Sequence, residues 1–315
     1  MIARWMAAVL GLAGLLPASG APTADALDYG LKPERIAADT YMLRGREEDY
    51  SFRNGGNIVN TGFIVTRDGV VVIDTGPSKR YGEQMRRAIA GVTDRPVAKV
   101  FNTHHHPDHF FGNQAYAGLP IAALPATIAA MKAEGGGFAD NVYRLSGDWL
   151  KGTEPEPANQ ATAPGRVTVG GHDLELIALK GHTVADLAVF DRTTGVLFAG
   201  DLVFYQRAAT TPHASLKDWL AALDALQKLP FKKMVPGHGP VIDDARGIEQ
   251  TRRYLRWLGD TLAKSAEQGL DMAEVLALPI PTEFADIPLV RGEFERSVSH
   301  LFRGYEAQAL GGSAR

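Results

Sequence analysis

The sequence reads as an α/β protein in which two β-sheets pack together with helices on the outside. Three observations predict this. At 315 residues, with 45% hydrophobic and 22% charged content, the chain can bury a sizeable core and is not compositionally disordered. Short β-branched runs are followed by helical patterns, and this succession occurs twice. The proline-rich polar stretch Lys151 to Gly165 reads as a surface loop dividing two halves of similar design.

At the N-terminus, Arg4 precedes an apolar run from Trp5 to Leu16, and small residues follow from Pro17 to Ala21. This is the order of a secretory signal. About twelve apolar residues are too few for a permanent span, which needs about 20. Cleavage fits after Gly20 or after Ala26. Residues 1–26 are therefore expected to be a signal segment, and the mature chain to be periplasmic or secreted with no stable membrane anchor. Residues 27–315 are expected to form one domain with a helical C-terminal part over about 243–311.

The first half opens with strands at Asn57–Thr66 and Gly69–Asp74, joined by a hairpin turn at Arg67-Asp68-Gly69. A helix is predicted over Ser78–Ala90 and a buried strand over Ala98–Asn102. Ile121–Leu124 is a short strand, and Pro125 opens a helix from a first-turn position. In the second half, strands are predicted at Val167–Val169, Leu174–Leu179, Leu187–Phe190 and Val196–Ala199, with a turn at Asp191–Gly195. Ser215 starts a helix with Asp218 as capping partner, and Leu216, Trp219, Leu220, Leu223 and Leu226 form its apolar stripe. Lys232–Val235 is a further strand, and Asp243–Ala309 is mostly helical in pattern.

Composition narrows the chemistry. Thirty-three lysines and arginines against 36 aspartates and glutamates give a net charge of −3, without the basic excess of a nucleic-acid binder. The absence of cysteine excludes disulfides, thiolate ligands and a cysteine nucleophile.

The segment Asn102–Asn113, NTHHHPDHFFGN, carries the strongest signal. His104 and His106 alternate, so their side chains converge on extended backbone. Asp108 and His109 follow after a tight turn. Four N/O donors within six residues have the composition of a metal site. Three more candidates stand at the ends of predicted strands: His182 in LKGHTVADLAVF, Asp201 in VLFAGDLVF and His238 in MVPGHGPV. Gly181, Gly200, Gly237 and Gly239 flank them and allow close backbone approach.

His-x-His-x-Asp-His, Gly-His-Thr, Gly-Asp and Pro-Gly-His-Gly, in this order over about Asn57 to Val241, resemble the metallo-β-lactamase-fold superfamily. The resemblance implies a four-layer αβ/βα sandwich, here with additional C-terminal helices. It also implies two zinc ions per chain. His104, His106 and His182 would hold one and Asp108, His109 and His238 the other, with Asp201 bridging. Asp74, in VVIDTG, matches an aspartate that orients a histidine ligand. His105 should point away from the metals. Zinc is preferred over iron or manganese because the donor set is rich in imidazole. His106 also stands where di-iron redox members carry glutamate. Some di-zinc β-lactamases carry cysteine at the position of Asp201. Keeping both His109 and Asp201 resembles the glyoxalase-II, lactonase and phosphodiesterase branches more closely. In overall likeness the chain is most similar to exported zinc metallohydrolases associated with quinoprotein dehydrogenase systems.

The expectation is an exported di-zinc hydrolase that uses a metal-bridging hydroxide on a small carbonyl substrate: an ester, thioester, lactone or amide. Asp108 would also hold the nucleophile. A β-lactamase, or a non-hydrolytic carrier for a quinone cofactor, is the alternative. His213, twelve residues past Asp201, is a candidate to assist the leaving group or to start the next helix. Tyr205 and the Phe110–Phe111 pair read as structural, His172 as a surface turn residue, and His300 as core or surface. Specificity is expected from Tyr50–Gly56, Tyr205–His213 and the C-terminal helices.

Overall fold

The computed structural model describes residues 27–311. The expected signal segment, residues 1–26, lies outside the described residues. Two strands that the sequence did not announce come first, β1 (Glu34–Ala37) and β2 (Thr40–Leu43). Each is only four residues long, and Asp39 turns between them at a left-handed φ of 57°. β3 (Thr61–Thr66) and β4 (Gly69–Ile73) form the expected hairpin, with Thr66 opposite Gly69. β5 (Val97–Phe101), β6 (Ile121–Ala123) and β7 (Gln160–Ala161) then add in parallel, giving a seven-stranded sheet in the order β1 to β7.

The strand expected from Asn57 begins only at Thr61. Asn57–Asn60 instead reach the other half: the Asn60 N–H donates to the Gly237 carbonyl at 2.8 Å, and its side-chain amide donates to Pro236 and Gly239. A buried backbone that leaves a sheet must find other partners, and here it finds them at the loop that carries His238.

The second sheet holds β8 (Gly165–Val169), β9 (His172–Leu179), β10 (Asp186–Asp191), β11 (Val196–Phe204) and β12 (Lys233–His238), in the order β12-β11-β10-β9-β8. β11 runs five residues past the expected end at Ala199, so Asp201 lies within a strand rather than after it. All nine β11 residues are buried, and burial on both faces erases the alternation that marks a strand's extent.

Helices cover both outer faces. α1 (Lys79–Ala90) starts at Ser78, whose side chain accepts from the Tyr81 N–H. The one-turn α2 (Pro107–Phe110) follows the histidine cluster, and α3 (Pro125–Ser146) follows β6. On the other side lie α4 (Leu216–Gln227), α5 (Arg246–Glu267), the short α6 (Met272–Leu276) and α7 (Thr282–Ala285), and α8 (Val290–Ala309). Ser215 caps α4, but Asp218 does not reciprocate: the Ser215 N–H goes to Gly181, and the Asp218 carboxylate takes the Ser215 hydroxyl and Lys180.

Three apolar cores match these layers. Ile64, Val71, Phe101, Leu187, Val189 and Phe198 lie between the sheets. Phe63, Val72, Met85, Phe110 and Met131 lie between the first sheet and its helices. Leu197, Trp219, Leu255, Phe294 and Phe302 lie between the second sheet and its helices. The result is the expected four-layer sandwich with additional helices.

His172 corrects a sequence expectation. It is buried rather than exposed, with Nδ1 2.8 Å from Asp191 Oδ2. The turn Asp191–Gly195 folds back over it, which the GGHDL segment alone does not announce.

Candidate metal centre

The strand ends that approach one another along one rim of the sandwich carry the candidate donors. After β5 the chain bends at His104 and His105, is extended at His106 (φ −74°, ψ 147°) and then enters α2. The His104 and His106 rings lie 4.7 Å apart between centroids, and Asp108 and His109 lie on one helical turn rather than in a loop. His182 follows β9, Asp201 lies in β11 and His238 ends β12.

The structure brings all seven candidates together, each less than a tenth exposed. Donor atoms of His104, His106, His182 and Asp201 lie within 4.8 Å of one another, as do those of Asp108, His109 and His238. Asp201 stands between the groups: Oδ2 is 3.3 Å from His182 Nε2 and 3.3 Å from His238 Nε2, and Oδ1 is 3.1 Å from His109 Nε2. His106 Nδ1 is 2.9 Å from His182 Nε2, and Asp108 Oδ2 is 3.4 Å from His238 Nε2.

The outward ring nitrogens of His104, His109 and His238 are held; that of His182 is buried without a partner among the described residues. His109 Nδ1 lies 2.7 Å from Asp74 Oδ2, which also accepts from the Thr103 hydroxyl; that hydroxyl touches His104 Nδ1 at 3.0 Å. Asp74 reaches this position from a left-handed φ of 57° at the end of β4. The Ile58 carbonyl takes His238 Nδ1 at 2.8 Å. By contrast, the inward atoms His104 Nε2, His109 Nε2 and Asp201 Oδ1 are buried without a hydrogen-bond partner among the described residues. Oriented imidazoles with unsatisfied inner nitrogens beside shared carboxylates fit a divalent cation.

Protonation divides the histidines into two that stand ready as ligands and one whose proton a cation would have to displace. Burial holds His104 and His106 well below the usual histidine range, so both are neutral and ready as ligands. Burial also acts to lower His109, but the carboxylates of Asp201, Asp74 and Asp108 outweigh it and hold the ring well above that range. Asp201 shows the converse: burial alone would raise it, but His238 and His109 hold it well below the carboxylate range. Asp201 is therefore ionised, its charge met by His109 until a cation replaces that proton.

Glycines set these distances. A Cβ at Gly181 would strike the Trp219 backbone, and Trp219 packs on the His182 ring at 4.9 Å between centroids. Thr183 donates through both its N–H and hydroxyl to Asp186, fixing the turn that carries His182. Phe204 stacks on His238 at 5.0 Å.

His106, Asp108, Asp201 and His238 floor a cleft of about 360 Å³. Tyr50 from the Tyr50–Gly56 loop, Arg207, Thr210, Pro212 and His213 from the segment after β11, and Arg296 and His300 from α8 line it. All three regions expected to carry specificity thus reach the cleft. His300 is exposed on its wall. Tyr205 is not in the lining; its ring sits under the Arg246 guanidinium at 6.0 Å, and its backbone holds the His238 turn. Phe110 and Phe111 are buried in the core. His105 is also buried and turns toward Glu134, 3.6 Å away; burial pushes it down to about 3.

One wall escaped sequence reasoning. α3 contributes Phe138, Asn141, Val142 and Leu145, and its Glu134 meets His213 at 3.2 Å. The i, i+4, i+7 spacing of Phe138, Val142 and Leu145 was the available signal.

Comparisons with known proteins agree with this geometry. Residues 54–238, more than half of the chain, match the family model described as the metallo-beta-lactamase superfamily. The chain is 26% identical over 199 residues to a beta-lactamase-like protein 2 homolog of Caenorhabditis elegans, covering 62% of this chain and 60% of that one. It is 23% identical to the atrochrysone carboxyl ACP thioesterase of Aspergillus fumigatus, covering 72% and 70%. It is 26% identical to an acyl-coenzyme A thioesterase of Gallus gallus, covering 66% and 82%. Among solved structures, a metallo-beta-lactamase from Pontibacter korlensis superposes with a TM-score of 0.58 at 24% identity, over 72% of this chain and 99% of that one. That likeness speaks to the fold alone.

Proposed function

The chain belongs to the metallo-beta-lactamase superfamily, and from that membership and the geometry of its site we propose that it is a metal-dependent hydrolase of thioesters or esters with an apolar acyl group. The observation that carries this reading is the set of seven buried donors, four of which (His106, Asp108, Asp201 and His238) open onto a cleft whose α3 wall is apolar. Two relatives named as thioesterases support the bond type.

We assign His104, His106 and His182 to one zinc ion and Asp108, His109 and His238 to a second, with Asp201 facing both. Zinc held there would polarise a carbonyl and make water nucleophilic near neutral pH. The chain's own residues do the rest. Asp108 lines the cleft and accepts a hydrogen bond from the attacking water. Tyr50 packs its ring on Gly56, and its hydroxyl is buried without a partner among the described residues. Burial, with Asp108 beside it, holds that phenol protonated, so it donates to the substrate oxygen. Phe138, Val142 and Leu145 receive the acyl group and exclude water from it.

The finer parts of the reading rest on sequence. The pattern from Arg4 to Ala21 supports export, and overall likeness supports service to a quinoprotein dehydrogenase system. Among the described residues no helix is long and apolar enough to cross a membrane.

The test is a hydrolysis panel on the zinc-loaded chain: a thioester, an ester, a lactone, a cephalosporin and a phosphodiester. Thioester or ester turnover is expected, falling about 100-fold or more in His106→Ala and Asp201→Ala. Turnover of the cephalosporin alone would make the protein a β-lactamase. Saturable quinone binding with no turnover would make it a carrier.

A further inference from the structure

We propose that Glu134 and His213 form a positioning chain that fixes His106 as a metal ligand. The inference rests on the reading of His104, His106 and His182 as ligands of one ion. His106 turns Nδ1 inward, 2.9 Å from His182 Nε2, and Nε2 outward, 2.8 Å from His213 Nδ1. His213 Nε2 in turn lies 3.2 Å from Glu134 Oε2.

Proton bookkeeping allows one arrangement. A ligand imidazole that gives its lone pair at Nδ1 carries its proton at Nε2. His106 then donates to His213 Nδ1, which leaves the His213 proton on Nε2, facing the Glu134 carboxylate at 3.2 Å. Each atom has one partner and each proton one place. Among the other histidine ligands, His109 is oriented by Asp74, His104 by Thr103 and His238 by the Ile58 carbonyl, while His182 is held by packing on Trp219. His106 is instead oriented from outside the ligand motifs, by α3 through Glu134 and by the segment before α4 through His213. The chain therefore joins a helix on one sheet to a loop of the other across the cleft wall.

His105, His106 and His213 lie close enough to suggest another metal site. However, the His106–His213 hydrogen bond uses the atoms such an ion would need, while Glu134 faces both His105 and His213. His213 is likewise occupied at Nδ1 by His106 and faces Glu134 at Nε2, which makes it a positioning residue rather than an acid for the leaving group.

The experiment measures Zn²⁺ affinity by chelator competition, without substrate, for the wild type, His213→Ala, Glu134→Ala and Glu134→Gln. Spectra of the Co²⁺-substituted proteins report ligand geometry. His213→Ala should weaken one equivalent of zinc by about 10- to 100-fold and shift the Co²⁺ bands. Glu134→Ala should weaken the same equivalent less, and Glu134→Gln, which keeps an acceptor oxygen, should stay within about threefold of the wild type. Unchanged affinity and spectrum in both alanine variants would overturn the proposal. So would equal weakening of both equivalents with a lowered melting temperature, the mark of a merely structural role. Intact metal binding with an activity loss that grows with leaving-group basicity would restore His213 as an acid. Should His213→Ala fail to fold, Glu134→Ala carries the test, because the Glu134 side chain is 39% exposed. A wild type that binds no zinc would overturn the metal-centre reading first, and this inference with it.

Discussion

At Gly237 a methyl group would collide with the Asp201 carboxylate and the Gly200 backbone. This residue therefore sets how closely the His238 loop can approach Asp201. Gly237→Ala should displace Asp201 and weaken zinc binding by at least about tenfold, measured by chelator competition, with the far-UV spectrum retained. Unaltered affinity would show that the loop yields and that Asp201 is not held by that contact. At this scale much was legible. His104, His106, Asp108, His109, His182, Asp201 and His238 are identifiable because metal chemistry demands particular side chains at particular spacings. Glu134 was not. A lone glutamate inside a helix has the same sequence signature whether it faces solvent or meets a histidine 79 positions away in the chain.

Among the elements, α3 illustrates the difference between finding a helix and knowing its use. Pro125 marked its start, and the spacing of Phe138, Val142 and Leu145 marks one apolar face, yet nothing local indicates that this face looks onto the cleft. Leu145 is 39% exposed at its rim. Introducing charge with Leu145→Lys should remove about half of a leucine's apolar contact with a long acyl chain, about 1.4 kcal/mol. The expected readout is a roughly tenfold higher KM for a decanoyl thioester, with an acetyl thioester unaffected. Equal effects on both would place the acyl group elsewhere. Strands were less legible than helices. β1 and β2 are too short to show a pattern, and β11 is buried on both faces, so its extension through Asp201 appears only once its neighbours β10 and β12 are in place. Asn57–Asn60 has strand-like composition but serves the His238 loop, because tertiary hydrogen bonds outweigh local preference.

For the whole molecule, the arrangement that matters is two sheets meeting at a rim where each contributes donors. His104, His106, Asp108 and His109 come from the end of the first sheet, and His182, Asp201 and His238 from the second. An ion held by both halves binds the folded state and not the unfolded chain, so it stabilises the assembled sandwich. The two-halves reading of the sequence anticipated the layers, because apolar periodicity reports burial. It could not show which loops meet, since that depends on how the sheets are set against each other. The most direct measurement is a zinc titration of the metal-free chain, followed by native mass spectrometry with thermal unfolding in parallel. Two zinc ions per chain are expected, with a higher melting temperature on loading and the loss of both effects in Asp201→Ala. A chain that takes up no zinc, or whose melting temperature does not respond to it, would rule out a metal centre shared by the two sheets.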